Sequence, residues 1–301
     1  MATRKARSAD SRARVASARA LTPAHALARI AEALERLVPA PSPSPPFAGA
    51  RLFRHVPGPG SAAGRFIAAP DFALPLDLLL GIERQKRLMV ENLRRFAAGH
   101  GTNHVLLWGV RGAGKSSLAK SAFMAAAAGA DALRLVEVDR DETAALPDLF
   151  EQLRPLPFRF VVLCDDLSFE GGAVAAKALK SALEGGVAGP PENVLFIATS
   201  NRRHLVHRDV GEDHGPLVAQ EDAEEAVSLS DRFGLWVGFP PMDQETFLAA
   251  CRAYATRLGL AVSDLDARAL AWAAQRGARS GRVAWQFIRD LAGEFGRRAD
   301  Y

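Results

Sequence analysis

Gly109-Val-Arg-Gly-Ala-Gly-Lys-Ser116 is the stretch that decides the fold of this 301-residue chain. Its pattern is Gly, four residues, then Gly-Lys-Ser. It follows an apolar run, Val105–Trp108, and opens a stretch of helical composition, Lys115–Ala128. A strand delivering such a loop to a helix N-terminus is a phosphate cradle. The glycines permit a tight turn that aims successive N–H groups inward at phosphate oxygens. The helix terminus adds partial positive charge. The candidate nucleotide-binding residues are therefore Gly109, Val110, Arg111, Gly112, Ala113, Gly114, Lys115, Ser116 and Ser117. Lys115 is expected to reach the β- and γ-phosphates, and the Ser116 hydroxyl to ligate Mg²⁺, so ATP and Mg²⁺ are the cofactors the motif implies.

A second part of such a site should close another strand. Phe160-Val-Val-Leu-Cys-Asp165-Asp166 is an apolar run ending in paired carboxylates. Asp165 is the candidate metal residue beside Ser116. Asp166 is the candidate catalytic residue, placed to orient and polarise an attacking water.

Working outward, the continuously apolar runs are Val105–Trp108, Leu133–Val138, Phe160–Cys164, Val194–Thr199 and Leu235–Phe239. Such runs suit strands buried on both faces of a parallel sheet. Helical stretches separate most of them, so right-handed crossovers and a three-layer α/β sandwich on a five-stranded parallel sheet are expected. After Pro240-Pro241 the pattern turns helical: Gln244–Leu258, Leu265–Arg276 and Ser280–Phe295. The expected organisation has four parts. Residues 1–46 form a basic, largely disordered segment with one short helix, Pro23–Val38, and a Pro-rich linker. Residues 47–76, rich in Gly and Pro, form an extended segment packed on the core. Residues 77–240 form the nucleotide-binding α/β domain, and residues 241–301 a small all-helical lid.

Composition narrows the setting. The chain is 49% hydrophobic and long enough for one α/β domain and a smaller unit. The net charge of +4 is concentrated: residues 1–20 hold six Arg and Lys against Asp10, leaving the rest of the chain near neutral. Cys164 and Cys251 form neither a disulfide framework nor a metal cluster, which indicates a reducing, cytoplasmic setting. No apolar run approaches the length of a membrane span, so no membrane partner is expected. Residues 209–225 carry seven acids and no Lys or Arg. The nearby His204, His207 and His214 fit no zinc spacing.

Beyond the P-loop, the chain from about residue 78 to 296 resembles the AAA+ ATPases. Leu80-Gly81-Ile82-Glu83 resembles the segment that seats adenine in that superfamily, which adds Gly81 and Ile82 to the binding residues. Asn201, in Thr199-Ser200-Asn201, matches the polar residue called sensor 1. Leu229-Ser-Asp-Arg232-Phe-Gly234 resembles the segment carrying the arginine finger. Arg279-Ser-Gly-Arg282 resembles sensor 2, with Arg282 the first choice and Arg279 the second. The resemblance thus implies catalytic roles for Asn201, Arg232 and Arg282 beside Asp166. Strings such as His104-Val-Leu-Leu-Trp-Gly-Val-Arg-Gly-Ala-Gly-Lys-Ser-Ser117 and Cys164-Asp-Asp-Leu-Ser-Phe169 are similar to a narrower bacterial AAA+ family, domain of unknown function 815.

The resemblance implies ATP binding and hydrolysis in a homo-oligomer, with Arg232 acting in trans; the expected function is hydrolysis of ATP with Mg²⁺ to drive or gate remodelling of a macromolecular partner. Two departures bear on this. Many AAA+ proteins carry Asp-Glu where this chain has Asp165-Asp166, and the shorter Asp166 implies slow basal turnover. That keeps a second reading open, a nucleotide-gated switch or scaffold. The segment 139–159 shows no aromatic-apolar-Gly pore loop, which argues against a threading unfoldase. A small-molecule kinase is opposed by the Asn201 and Arg232 segments. Nucleic acid as a partner is supported only by the basic tail and by residues 252–298, with nine Arg and four acids. No helix-turn-helix or base-stacking motif accompanies them.

Overall fold

A computed structural model describes residues 47–58, 64–71, 74–167, 173–185, 189–201 and 231–299. The expected helix at 23–38, the Pro-rich linker, the histidines 204, 207 and 214, and the acidic run 209–225 lie outside these residues. The chain divides into two units, Met1–Ser44 and Pro45–Tyr301, and everything described belongs to the second.

In chain order the elements are β1 (Leu52–Val56), β2 (Arg65–Ala69), a 3₁₀ turn (Leu76–Leu78), α1 (Glu83–Ala97), β3 (Val105–Gly109), α2 (Lys115–Ala127), β4 (Leu133–Val138), a 3₁₀ turn (Arg140–Ala145), α3 (Leu146–Leu153), β5 (Arg159–Cys164), α4 (Ala173–Glu184), β6 (Val194–Ser200), β7 (Leu235–Phe239), α5 (Gln244–Arg257), α6 (Leu265–Arg276) and α7 (Gly281–Glu294). The sheet order is β2-β1-β4-β5-β6-β3-β7. Six neighbouring strands run parallel, and only β2, at one edge, runs antiparallel to β1.

The five apolar runs form the expected parallel core, β4-β5-β6-β3-β7. The five-stranded expectation is corrected by two further strands, β1 and β2. They arise from the segment read as merely extended. Their five-residue runs lie among Gly and Pro, and β2 is mostly solvent-facing, so neither carries the continuous apolar signature of a central strand. What anchors them is aromatic packing. Phe47 is buried, with its ring centroid 4.7 Å from Phe53, 4.9 Å from Phe66 and 4.8 Å from Phe160.

Side-chain alternation divides the sheet into two faces. Val105, Leu107, Leu135, Leu163 and Ile197 enter one core with Met89 and Leu93 of α1 and Leu118 and Phe123 of α2. Leu106, Val136, Val162, Phe196 and Ala198 enter the other with Leu149 and Phe150 of α3 and Leu179 of α4. This is the three-layer sandwich. Helices α5 to α7 belong to the first core: Phe247, Ala250, Phe287 and Ile288 form one cluster with β3, β7, α1 and α2. The helical segment therefore has no separate apolar interior, which ties its position to the α/β layers.

His104 joins two strands at the start of β3. Its Nδ1 accepts from the Phe196 N–H at 3.1 Å, and its carbonyl accepts from Leu235 N–H at 3.2 Å. Burial pushes its pKa down from 6.5 to about 4. The unfolded chain takes up a proton at the ordinary value and the folded chain only near 4. Stability is therefore expected to be constant above about pH 6.5 and lost as pH falls through that window, by about 3 kcal/mol. His55 is shifted in the same direction by its burial. Denaturant melts from pH 7.5 to 4.5 should show the loss, and His104→Asn should flatten the slope without abolishing it.

Candidate nucleotide-binding site

Parallel strands end on one edge, so β3, β4, β5 and β6 deliver their following residues to the same place. From β3 comes the loop Gly109–Gly114, from β5 Asp165 and Asp166, and from β6 Asn201. Gly112 and Gly114 have φ of +77° and +92°, conformations that side chains other than glycine rarely adopt. Gly112 is constrained a second way. A Cβ there would lie 2.7 Å from Ser280 Oγ. Ser280 in turn caps α7, accepting from the Val283 N–H at 3.3 Å. The loop thus abuts the start of α7, two residues before Arg282.

Lys115, the first residue of α2, is buried at 7% exposure. Its ammonium donates to the carbonyls of Gly109 at 2.7 Å and Val110 at 3.0 Å and to Asn201 Oδ1 at 3.0 Å. Burial holds its pKa below the ordinary lysine value, against the opposing pull of Asp165 and Asp166, while Arg282 and Arg111 add to the lowering. Ser116 Oγ donates to Asp165 Oδ1, which also takes the Thr199 hydroxyl at 2.6 Å. The Asn201 amide donates to Asp166 Oδ1. The other carboxylate oxygen of Asp166 faces Arg111 at 3.6 Å and Arg140 at 3.8 Å. Asp166 is the one described non-glycine residue with positive φ, +56°, and its N–H donates to Thr199 Oγ1 at 2.9 Å. Asp tolerates this left-handed geometry better than most side chains.

These groups line a cleft of about 410 Å³. Arg111, Gly112, Gly114, Lys115, Ser116, Ser117, Asp165, Asp166, Asn201 and Arg282 all line it. Of the remaining candidates, Gly109 ends β3 against the Phe239 carbonyl, Ala113 is half-buried and Val110 is exposed. Ile82 is buried beside the loop: its Cδ1 lies 3.9 Å from where a Gly114 Cβ would stand. Gly81, at φ +74°, lies against Thr246 of α5. Arg282 is in the cleft, while Arg279 donates to Gln244 at 3.2 Å.

Arg232 is not among the described residues that line the cleft. It forms an ion pair with Glu184 at the end of α4, its Nε donating at 2.8 Å. Six lining residues carry no role assigned from the sequence: Leu74, Leu79, Thr199, Tyr254, Gly281 and Trp285. Thr199 was legible in hindsight, two positions before Asn201 at the end of β6. Tyr254 and Trp285 are packed edge-to-face at 5.5 Å and 80°. Trp285 stands at helical spacing in α7, and spacing alone cannot separate a core stripe from a cleft wall.

The site fits a magnesium nucleotide. No group of three convergent His, Cys, Asp or Glu side chains occurs among the described residues. Ser116 and Asp165 are instead hydrogen-bonded neighbours that would supply two hard oxygens, with phosphate and water completing the shell. No described helix is long and apolar enough to cross a membrane.

Solved structures of similar fold include the Thermotoga maritima RuvB Holliday junction branch migration motor, at 19% identity and a TM-score of 0.51 over 75% of this chain and 68% of that one. The Aeropyrum pernix ORC1 protein, solved in complex with DNA, matches at 18% identity and a TM-score of 0.54 over 77% of this chain. The chain spans 64% of that protein's length. At such identity the likeness is one of fold, the AAA+ type of P-loop domain. Among curated proteins none matches. Residues 54–295 match the family described as Protein of unknown function (DUF815), and the chain belongs to that family.

Proposed function

We propose that this protein is a Mg²⁺-dependent ATPase that hydrolyses ATP to drive or gate remodelling of a macromolecular partner. The observation that carries the reading is one continuous network. Lys115, Asn201 and Asp166 are joined by hydrogen bonds, and Ser116, Asp165 and Thr199 join beside them at the same strand edge. A turn that only connected a strand to a helix would have no need of a buried ammonium beside two carboxylates.

Each group has a task in this reading. The loop amides and Lys115 hold the triphosphate, Lys115 exchanging its bonds to Gly109 and Val110 for phosphate oxygens. Ser116 and Asp165 hold Mg²⁺, which when bound offsets the phosphate charge. Asp166 orients and deprotonates the attacking water, steered by Asn201. Arg282 meets charge developing on the phosphates from the lid side. Arg232 is the arginine finger of a neighbouring subunit, so the active form is a homo-oligomer. Its position outside its own chain's cleft supports action in trans. Nucleic acid as the partner draws support from the DNA-associated proteins of similar fold and from the basic terminal segments.

The second reading, a nucleotide-gated switch with little turnover, is favoured by one observation. Both oxygens of Asp166 face donors, Asn201 on one side and Arg111 with Arg140 on the other. A base so engaged reacts slowly until something moves those partners.

Steady-state hydrolysis of Mg²⁺-ATP over a range of protein concentrations tests the two readings. The expected result is specific activity that rises with concentration and disappears in Lys115→Ala, whose nucleotide affinity should fall about 100-fold or more. Nucleotide binding without turnover at any concentration would favour the switch. Asp166→Asn should keep nucleotide affinity within about twofold while turnover drops about 10²-fold or more; retained turnover would remove Asp166 as the base. Arg232→Ala should lose about 10³-fold in turnover. Mixing it with Asp166→Asn should restore part of the activity, and no recovery in a verified mixed oligomer would count against the finger in trans.

A further inference from the structure

Strand β1 adds to the sheet beyond the five strands that the nucleotide cleft uses, and being parallel to β4 it ends on the same edge. Arg54 stands there, in register with Glu137. Between this point and the end of β5 lies a second cavity of about 470 Å³, within the range of small-molecule sites. Arg54, Glu137, Asp139 and Arg140 line it, and it shares Asp165 and Asp166 with the nucleotide cleft.

The carboxylates on this wall are each engaged. Glu137 takes the Lys120 ammonium at 2.9 and 3.0 Å. Asp139 accepts from the Asp141 N–H at 3.2 Å, capping the 3₁₀ turn. Asp165 holds Ser116 and Thr199, and one oxygen of Asp166 holds Asn201. The guanidiniums are not engaged to the same degree. Arg140 lies 3.7 Å from Asp141 and 3.8 Å from Asp166, beyond the reach of a charge-assisted hydrogen bond. Arg54 has no ion pair or hydrogen bond among the described residues. Two planar donor forks facing one cavity suit a carboxylate or phosphate, which accepts bidentate bonds from each.

The geometry points to an effector site for a small carboxylate- or phosphate-bearing molecule, held between Arg54 and Arg140, whose binding draws Arg140 off Asp166. The coupling rests on the reading of Asp166 as the hydrolytic base. Removing one of the two guanidiniums that face its outer oxygen leaves that oxygen freer to accept a proton from water. The effector therefore raises kcat and leaves KM for ATP unmoved, because Arg54 and Arg140 hold no part of the triphosphate. The added hairpin thereby acquires a role: it brings the second guanidinium to the edge where hydrolysis occurs.

Calorimetric titration of the full-length protein tests the site directly, with Mg²⁺ and a non-hydrolysable ATP analogue filling the nucleotide cleft so that added anions cannot enter the phosphate cradle. The probes are succinate and inorganic phosphate, against chloride at matched ionic strength. Saturable binding of at least one is expected, weakened about tenfold or more in Arg54→Gln, a change at an exposed side chain. Binding of succinate alone assigns a carboxylate ligand and binding of phosphate alone a phosphate one; either supports the site. No saturable binding, or binding of equal strength in Arg54→Gln, overturns it. In steady-state hydrolysis the bound anion should raise kcat in the wild type and not in Arg54→Gln. Arg54-dependent binding with kcat unmoved overturns the coupling to Asp166. Intact binding in a protein that never hydrolyses ATP overturns the ATPase reading and leaves the anion site standing.

Discussion

A buried ammonium governs the site. Lys115 enters a helix N-terminus at 7% exposure, where an uncompensated cation would be costly. Two carbonyls of its own loop and the amide oxygen of Asn201 receive its three protons. That arrangement requires the loop to curl back on α2, which requires positive φ at Gly112 and Gly114. It also requires β6 to end where Asn201 can reach it. Exchange of these carbonyls for phosphate oxygens is then a substitution of one set of acceptors for another, with the ammonium already in place.

The carboxylates are arranged around the same point but held differently. Asp165 is held by two hydroxyls, Ser116 and Thr199, both donating to its Oδ1. Asp166 is turned outward by its left-handed backbone and faces a mixed set of donors. One of these, Arg140, begins the 3₁₀ turn after β4, and β4 is the strand against which β1 adds. The β1-β2 hairpin thus reaches the chemistry through a single strand.

Rigidity behind the site comes from two apolar cores, one on each face of the sheet. Because α5 to α7 share the first of them, their place is set by packing as well as by the connection at Pro240-Pro241. Ser280 against Gly112 fixes where α7 starts, and hence where Arg282 enters the cleft.

Local chemistry made much of this legible in one dimension. Gly-rich loop, buried strands and helical spacing are short-range signals, and they carried the parallel core, the cradle Gly109–Ser116 and the paired Asp165-Asp166. Other features depend on partners distant in sequence. β1 and β2 are strands because Phe47, Phe53 and Phe160 pack together and because Leu52–Arg54 find β4, not because their own residues demand it. Trp285 carries the same helical spacing as a core residue, and only the approach of α7 to the loop turns it toward the cleft. The ion pair of Arg232 with Glu184, 48 residues away, and the facing of Arg140 to Asp166 likewise have no sequence signature. The sequence by itself determined the Gly-rich loop between β3 and α2 and the carboxylate pair that closes β5, since each is a run of contiguous residues. Tertiary structure alone decided what surrounds them, because an ion pair or a cleft wall is set by distance in space, which a linear pattern does not encode.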